Sequence, residues 1–197
     1  QVDTPFYSTR QTMPNRFGIY VHVPFCVHKC SYCDFYSFTK YGAEDFVRWR
    51  ERMVKEVSEA KEWMAGKLPQ GRVTSIFFGG GTPSLLPLPE ITAAFESLET
   101  KFAIDSETEI TVEANPETVT PEWCRGILDS TPINRVSLGA QSFQPKYLAA
   151  LERMATPESV RNAVKMLRHA GMKDLNLDLI FAIPGQTQAE AFSDIDA

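Results

Sequence analysis

The chain has 197 residues, of which 43% are hydrophobic and 23% are charged, and its formal net charge is -5. This length and composition predict one domain with a single sizeable core. The acidic balance, without a stripe of Lys or Arg, argues against nucleic acid as a main partner. No apolar stretch approaches the length of a membrane span and no charged-then-apolar leader opens the sequence, so we expect a cytoplasmic protein without a membrane span.

Residues 1–17 contain scattered Pro, Ser and Thr without periodicity and are predicted to form an irregular lead-in. Residues 18–23, rich in Ile, Tyr and Val, are predicted to be the first strand. Further strands are expected at 73–78, 109–113, 134–138 and 173–183. Between them, apolar residues recur at helical spacing, and helix-start signals appear at several points. The predicted helices are 44–65, 89–102, 121–129, 145–152, 157–170 and a last one capped by Thr187.

Strand and helix alternate five times with short connections, which predicts right-handed crossovers and a parallel sheet. The nearly continuous apolar run at 73–78 agrees, because strands of parallel sheets are commonly covered on both faces. The pattern is compatible with a doubly wound sheet and with a barrel, and it does not separate the two.

Three of the four cysteines lie in the loop after the first strand, spaced C-x3-C-x2-C at Cys26, Cys30 and Cys33. Three thiols within eight residues can surround one metal centre, and free thiols of this kind agree with a reducing compartment. Two centres fit the spacing equally well. One is a 4Fe-4S cluster with one iron left open, and the other is zinc with His22 or His28 as the fourth ligand.

The residues around the cysteines decide between these alternatives. The string Tyr20-x-His22-x-Pro24-Phe25-Cys26, followed by Cys33-Asp34-Phe35, resembles the signature of the radical S-adenosylmethionine (SAM) enzymes. Within that superfamily it is similar to the coproporphyrinogen dehydrogenase-like branch, and most of all to the HemW-type heme chaperones.

The resemblance implies a 4Fe-4S cluster on Cys26, Cys30 and Cys33, with the open iron chelating SAM. An external electron donor reduces such a cluster, which then splits SAM into methionine and a 5'-deoxyadenosyl radical. The resemblance also implies an α/β fold, the partial parallel (βα) barrel of radical SAM proteins. About five of its six units are visible in residues 18–197, so we expect the barrel to be truncated at Ala197 and one sheet edge to be poorly covered.

Each predicted strand leads to a polar or glycine-rich signal, and ligands of parallel α/β proteins collect at these strand ends. Without the resemblance, each signal has an ordinary structural explanation, such as an exposed helix arginine or a packed tyrosine. With it, nine residues are expected to contact SAM. They are Tyr20, Tyr32, Gly80, Gly81, Thr82, Glu113, Gln141, Arg153 and Asp178. We expect His22 to hydrogen-bond near the site and Cys124 to be a buried residue with no role.

Two functions fit this branch, and Phe35 separates them. Oxygen-independent coproporphyrinogen III dehydrogenases carry a further cysteine two residues after the third, where this chain has Phe35. The HemW-like pattern therefore predicts a heme chaperone that hands heme to an acceptor protein. The alternative is an enzyme that abstracts hydrogen from a porphyrinogen or another organic substrate. A zinc-stapled interaction module is the third hypothesis. The heme-linked motif of the chaperones is expected beyond Ala197.

Overall fold

The structure is a computed structural model that describes residues 15–63 and 71–197. It contains the strands β1 (Asn15–Val23), β2 (Gly71–Gly80), β3 (Glu109–Ala114), β4 (Arg135–Gln141) and β5 (Asp174–Leu179). The helices are α1 (Ala43–Trp63), α2 (Leu88–Glu99), α3 (Pro121–Ser130), α4 (Pro145–Ala150), α5 (Pro157–Ala170) and α6 (Gln188–Ile195). Short 3-10 turns at Pro83–Leu85 and Pro116–Thr118 follow β2 and β3.

The five strands form one sheet in the order β1-β2-β3-β4-β5, and every neighbouring pair is parallel. The predicted alternation of strands and helices around a parallel sheet is confirmed. The sheet is open, with β1 and β5 at its edges. Because all strands run the same way, their carboxyl ends meet along one rim, where the predicted site residues other than Tyr20 lie.

The two faces of the sheet differ in character. On one face Ile76, Phe78, Val112 and Leu138 are fully buried in the same core as apolar residues of α2, α3 and α5. Burial of each such side chain stabilises the fold by about 1.5–3 kcal/mol. Successive strand residues point to opposite faces, so the other face receives the polar residues between them. That face carries Glu113, Ser137, Asn176 and Asp178.

The helix-start signals behave as the sequence predicts. The side chains of Thr120 and Thr156 accept hydrogen bonds from the first turns of α3 and α5, and Thr187 and Glu190 form a capping box on α6. Gly171 ends α5 in the left-handed conformation, with φ 108. These caps fix where each helix leaves the sheet.

Several boundaries differ from those predicted. β1 begins at Asn15, so the predicted domain start at residue 18 lies inside a strand, and residues 1–14 are outside the described residues. Residues 64–65 of the first predicted helix are also outside them. β2 continues to Gly80, because Gly79 and Gly80 both pair with β1, Gly80 at a positive φ. β4 continues to Gln141, which the sequence placed in a loop, whereas β5 already ends at Leu179.

The β5 edge is less well covered than the centre of the sheet. Leu177 of β5 is 40% exposed, whereas Leu138 of the neighbouring β4 is fully buried. In the described residues, no helix is long and apolar enough to cross a membrane.

Candidate functional site

The cysteine loop follows β1 and is closed at its base by backbone hydrogen bonds. Phe38 donates to the Pro24 carbonyl over 2.9 Å, and Cys26 donates to the Phe38 carbonyl over 3.1 Å. The Phe25 ring is buried against the rings of Phe38 and Phe46, with centroids 5.2 and 4.7 Å away. This packing holds the base of the loop against the end of the sheet.

All three loop cysteines line a single cavity of about 280 Å³ at the carboxyl ends of the strands. Cys26 and Cys30 are buried and Cys33 is partly exposed, and all three are free thiols. A turn in which the Cys33 amide donates to the Cys30 carbonyl over 3.1 Å brings the second and third cysteines together.

The same cavity gathers every predicted site residue except one. Its lining includes Cys26, Cys30, Tyr32, Cys33, Gly80, Gly81, Thr82, Glu113, Gln141, Arg153 and Asp178. Tyr20 is the exception. It is 55% exposed on the polar face of the sheet, stacks on Phe77 with centroids 6.2 Å apart, and hydrogen-bonds His22. Tyr20 is therefore neither packed in the core nor part of the cavity lining. Its contact with SAM stays a prediction.

Two glycines at the end of β2 occupy positions where a side chain would collide with neighbouring atoms. Gly80 has a φ of 113, and a Cβ there would lie 2.5 Å from the His22 ring. A Cβ on Gly81 would lie 2.6 Å from the Phe25 carbonyl oxygen. The Gly81 and Thr82 amides donate to the Val23 and Phe25 carbonyls over 2.7 and 2.6 Å. The end of β2 is thus joined to the cysteine loop by backbone hydrogen bonds.

Two carboxylates line the cavity from neighbouring strands. Glu113 accepts a hydrogen bond of 3.1 Å from the Gly80 amide. Burial raises the pKa of Glu113, the Gly80 hydrogen bond opposes that rise, and nearby Asp178 adds to it. Asp178 is half-buried and accepts hydrogen bonds from Ser137 and Asn176 over 2.8 and 2.7 Å. These partners offset the desolvation of its carboxylate.

Gln141 has an unusual backbone conformation. Its φ is 65, in the left-handed region that few residues other than glycine adopt, and the β4–β5 register shifts between Gly139 and Gln141. Its carbonyl still accepts a hydrogen bond of 2.9 Å from the Ile180 amide. Such strain costs about 1–3 kcal/mol and is typical of functional sites, since the surrounding structure must hold it in place.

Arg153 reaches the cavity from the turn between α4 and α5. Its guanidinium donates to Asn115 Oδ1 over 2.8 Å and to the Gly139 carbonyl over 3.1 Å, and it lies 3.9 Å from the Cys30 sulfur. Among the described residues its buried Nε has no partner. Burial raises the pKa of the neighbouring Tyr32, and the Arg153 charge opposes that rise. Arg153 is therefore not the exposed helix arginine of the alternative interpretation, because it lies outside both helices and its guanidinium is hydrogen-bonded in the cavity.

Asn115 is a site residue that the sequence reasoning missed. It lines the cavity, accepts from Arg153 and donates from Nδ2 to Thr82 Oγ1 over 3.0 Å. In the sequence, Asn115 and the following Pro116 indicate only that the strand ends. The available signal was its distance of two residues from Glu113, because alternation places both on one face.

The two histidines of the zinc hypothesis differ in position. His22 Nε2 lies 2.8 Å from the Tyr36 carbonyl and His22 does not line the cavity, whereas His28 lines it and lies 4.0 Å from Glu152. Across residues 15–63 and 71–197, no group of three or more His, Cys, Asp or Glu side chains is arranged to hold a single metal ion. A 4Fe-4S cube makes a different demand, because each thiolate binds its own iron around a shared volume.

Cys124 lies far from this cavity, in α3. It is completely buried, and burial raises the pKa of its thiol to about 11. The expectation that it packs in the core is confirmed.

Residues 20–196 match the family model described as the Radical SAM superfamily, and the chain belongs to this family. It is 36% identical over 188 residues to the heme chaperone HemW of Mycobacterium tuberculosis CDC 1551, covering 94% of this chain and 47% of that protein. It is 34% identical over 179 residues to the HemW of Escherichia coli K12, covering 90% and 46%. The chain thus spans less than half the length of these relatives.

An oxygen-independent coproporphyrinogen III oxidase of Bradyrhizobium diazoefficiens is 31% identical over 178 residues, covering 90% of this chain and 39% of that protein. Among solved structures, the coproporphyrinogen III oxidase HemN of Escherichia coli matches with a TM-score of 0.78 and 24% identity. The match covers 94% of this chain and 42% of the HemN chain. The fold is that of HemN, and the chain is a radical SAM protein of the HemW/HemN type. The family implies a 4Fe-4S cluster and SAM.

Proposed function

We propose that Cys26, Cys30 and Cys33 hold a 4Fe-4S cluster whose fourth iron is left for SAM. The observation that carries this proposal is the meeting of these three thiols with the glycine-rich end of β2 in one cavity. The chemistry of the surroundings suits a negatively charged group. Thr82 Oγ1 lies 3.7 Å from the Cys26 sulfur and Arg153 lies 3.9 Å from the Cys30 sulfur, so each of these sulfurs has a hydrogen-bond donor.

The remaining lining suits the mixed charges of SAM. The carboxylates of Glu113 and Asp178 can accept from its amino group and ribose hydroxyls, and the Arg153 guanidinium can bind its carboxylate. Gly80 and Gly81 let the end of β2 lie close to His22 and the cysteine loop, because a Cβ atom there would collide with the His22 ring or the Phe25 carbonyl. When bound and reduced by an external donor, the cluster supplies the electron that cleaves SAM.

The proposed role of the whole protein is that of a HemW-like heme chaperone, which binds heme and passes it to an acceptor protein in the cytoplasm. The relatives of 36% and 34% identity support this proposal, since they are named heme chaperones. The place of a further loop cysteine is taken by Phe35, which is 63% exposed and lines the cavity.

The second candidate is an oxygen-independent coproporphyrinogen III dehydrogenase. The fold match to HemN and the Bradyrhizobium relative support it. In that case the cavity would position SAM for hydrogen abstraction from a propionate side chain of a porphyrinogen.

A pair of measurements on the full-length protein separates the two. Heme is titrated into the protein, and the cluster-loaded protein is assayed for decarboxylation of coproporphyrinogen III. The chaperone proposal predicts stable heme binding and transfer to an acceptor protein without decarboxylation. Decarboxylated product without stable heme binding contradicts it and supports the dehydrogenase.

A further inference from the structure

A continuous set of hydrogen bonds connects two of the three cavity cysteines, and Asn115 is at its centre. Thr82 Oγ1 lies 3.7 Å from the Cys26 sulfur, and Asn115 Nδ2 donates to the same oxygen over 3.0 Å. On the other side, Arg153 donates to Asn115 Oδ1 over 2.8 Å and lies 3.9 Å from the Cys30 sulfur. One side-chain amide therefore holds a donor near each sulfur.

The donor directions follow from the groups involved. A guanidinium only donates, so Asn115 must present Oδ1 to Arg153 and Nδ2 to Thr82. The Thr82 oxygen accepts from Asn115, which leaves its single proton for the Cys26 sulfur. Both ends of the set consequently direct a hydrogen-bond donor at sulfur.

Asn115 itself is held firmly. Its backbone carbonyl accepts hydrogen bonds from the amide and the hydroxyl of Thr118, over 2.9 and 2.8 Å. Thr118 lies in the 3-10 turn after β3. Thr82 is only 2% exposed, and Arg153 is fixed a second time by the Gly139 carbonyl. Because these side chains are buried and already oriented, they lose little conformational freedom when a cluster binds. In such a low-dielectric site, their hydrogen bonds stabilise negative charge on the sulfurs.

We propose that Asn115 is a positioning residue that sets the reduction potential of the cluster through Thr82 and Arg153. Reduction adds negative charge that is shared by the cysteine sulfurs, and hydrogen bonds to those sulfurs stabilise it. Asn115 thus makes the cluster easier to reduce by an external donor. The proposal rests on the cluster assignment made above, and its test keeps the two apart.

The test is a redox titration of the cluster-loaded full-length protein without SAM, followed by electron paramagnetic resonance. We expect the midpoint potential of Asn115→Ala to be more negative than that of the wild type. At the wild-type midpoint, the ratio of reduced to oxidised cluster should fall by roughly threefold or more. Thr82→Val should shift the potential in the same direction, and Thr82→Ser, which keeps the hydroxyl, should restore it.

Asn134 provides the matched control. Its side chain accepts from the Ile110 amide and donates to the Thr108 carbonyl, both over 2.8 Å, at the other end of β3. Asn134→Ala should lower the thermal stability and leave the cluster potential unchanged. Equal potentials for wild type and Asn115→Ala would overturn the proposal. Where Asn115→Ala does not assemble a cluster, equal potentials for Thr82→Val and Thr82→Ser would overturn it instead. Failure of the wild type to assemble any cluster overturns the cluster assignment itself.

Discussion

The Gly80 amide donates to the Glu113 carboxylate over 3.1 Å, which joins the ends of β2 and β3 inside the cavity. This single contact combines the features that define the site. It needs a glycine at a φ of 113, and it leaves a half-desolvated acid beside the cysteines.

The first prediction concerns Gly80 and uses Gly171 as a matched control. Both glycines have similar positive φ values, 113 and 108, but a Cβ on Gly171 would meet nothing within 4 Å. Gly171→Ala should therefore cost only the backbone strain, about 1–2 kcal/mol of unfolding free energy. Gly80→Ala should cost more and weaken SAM binding, because the new Cβ collides with the His22 ring. Urea unfolding and calorimetric titration with SAM measure the two effects. Equal losses of stability for both variants, with normal SAM binding, would contradict this explanation.

The second prediction follows from the raised pKa of Glu113. An acid whose folded pKa lies above its unfolded value binds more protons in the folded state, so stability falls as pH rises through that interval. The interval begins near the ordinary value of 4.5. Glu113→Gln removes the charge but keeps an acceptor for the Gly80 amide. The variant should be more stable than wild type at neutral pH and equally stable below pH 4.5.

Urea unfolding across this pH range measures the difference, and Glu51→Gln, at an exposed position in the middle of α1, reports the effect of removing a surface charge. At the same time, Glu113→Gln should bind SAM more weakly. A stability difference that is the same at every pH would show that burial of the carboxylate is not its cause.

The third prediction separates the loop cysteines from Cys124. Each of Cys26→Ala, Cys30→Ala and Cys33→Ala should abolish the visible absorption and the iron content of the anaerobically reconstituted protein. Cys124→Ala should retain both, because that thiol is completely buried away from the cavity. It should still cost on the order of 1 kcal/mol in unfolding free energy, through the small cavity that it leaves. Loss of iron from Cys124→Ala with a normal unfolding curve would argue against the assignment.

The fourth prediction concerns the strained backbone at Gln141. Glycine adopts a φ of 65 without a steric penalty, so Gln141→Gly should leave stability unchanged or raise it by up to about 1 kcal/mol. Ala182, with a φ of 60, is the control, and Ala182→Gly should behave in the same way. Only the Gln141 variant should weaken SAM binding, which calorimetry would detect. Wild-type SAM binding by Gln141→Gly would contradict a role for the Gln141 side chain in the site.

Much of this fold could be predicted because its signals are local. Apolar runs and helix caps such as Thr156 and Thr187 can be recognised from residues that are close in sequence. The parallel sheet follows from the alternation of the strands and helices that they predict. The boundaries were less predictable where a residue has two roles. Gly79 and Gly80 suggested a loop, but they continue β2 because pairing with β1 supplies hydrogen bonds that the sequence does not reveal.

The site was predictable where a residue lies at a strand end, and less so where long-range contacts decide. Glu113 and Asp178 are placed by alternation alone. Tyr20 shares that face, but it lies three residues before the end of β1, and neither Tyr20 nor the neighbouring His22 lines the cavity. Asn115 was overlooked, since its importance comes from Arg153, a residue 38 positions away.

The central claim is that three thiols hold a cluster with an iron free to bind SAM. It is tested most directly by electron–nuclear double resonance on the reduced, cluster-loaded protein, with SAM labelled at its amino nitrogen. We predict a hyperfine coupling between the cluster and that nitrogen in the wild type, and the same coupling in Cys124→Ala, which keeps the cluster. A cluster that shows no coupling to labelled SAM, or a protein that takes up zinc in place of iron and sulfide, would contradict it.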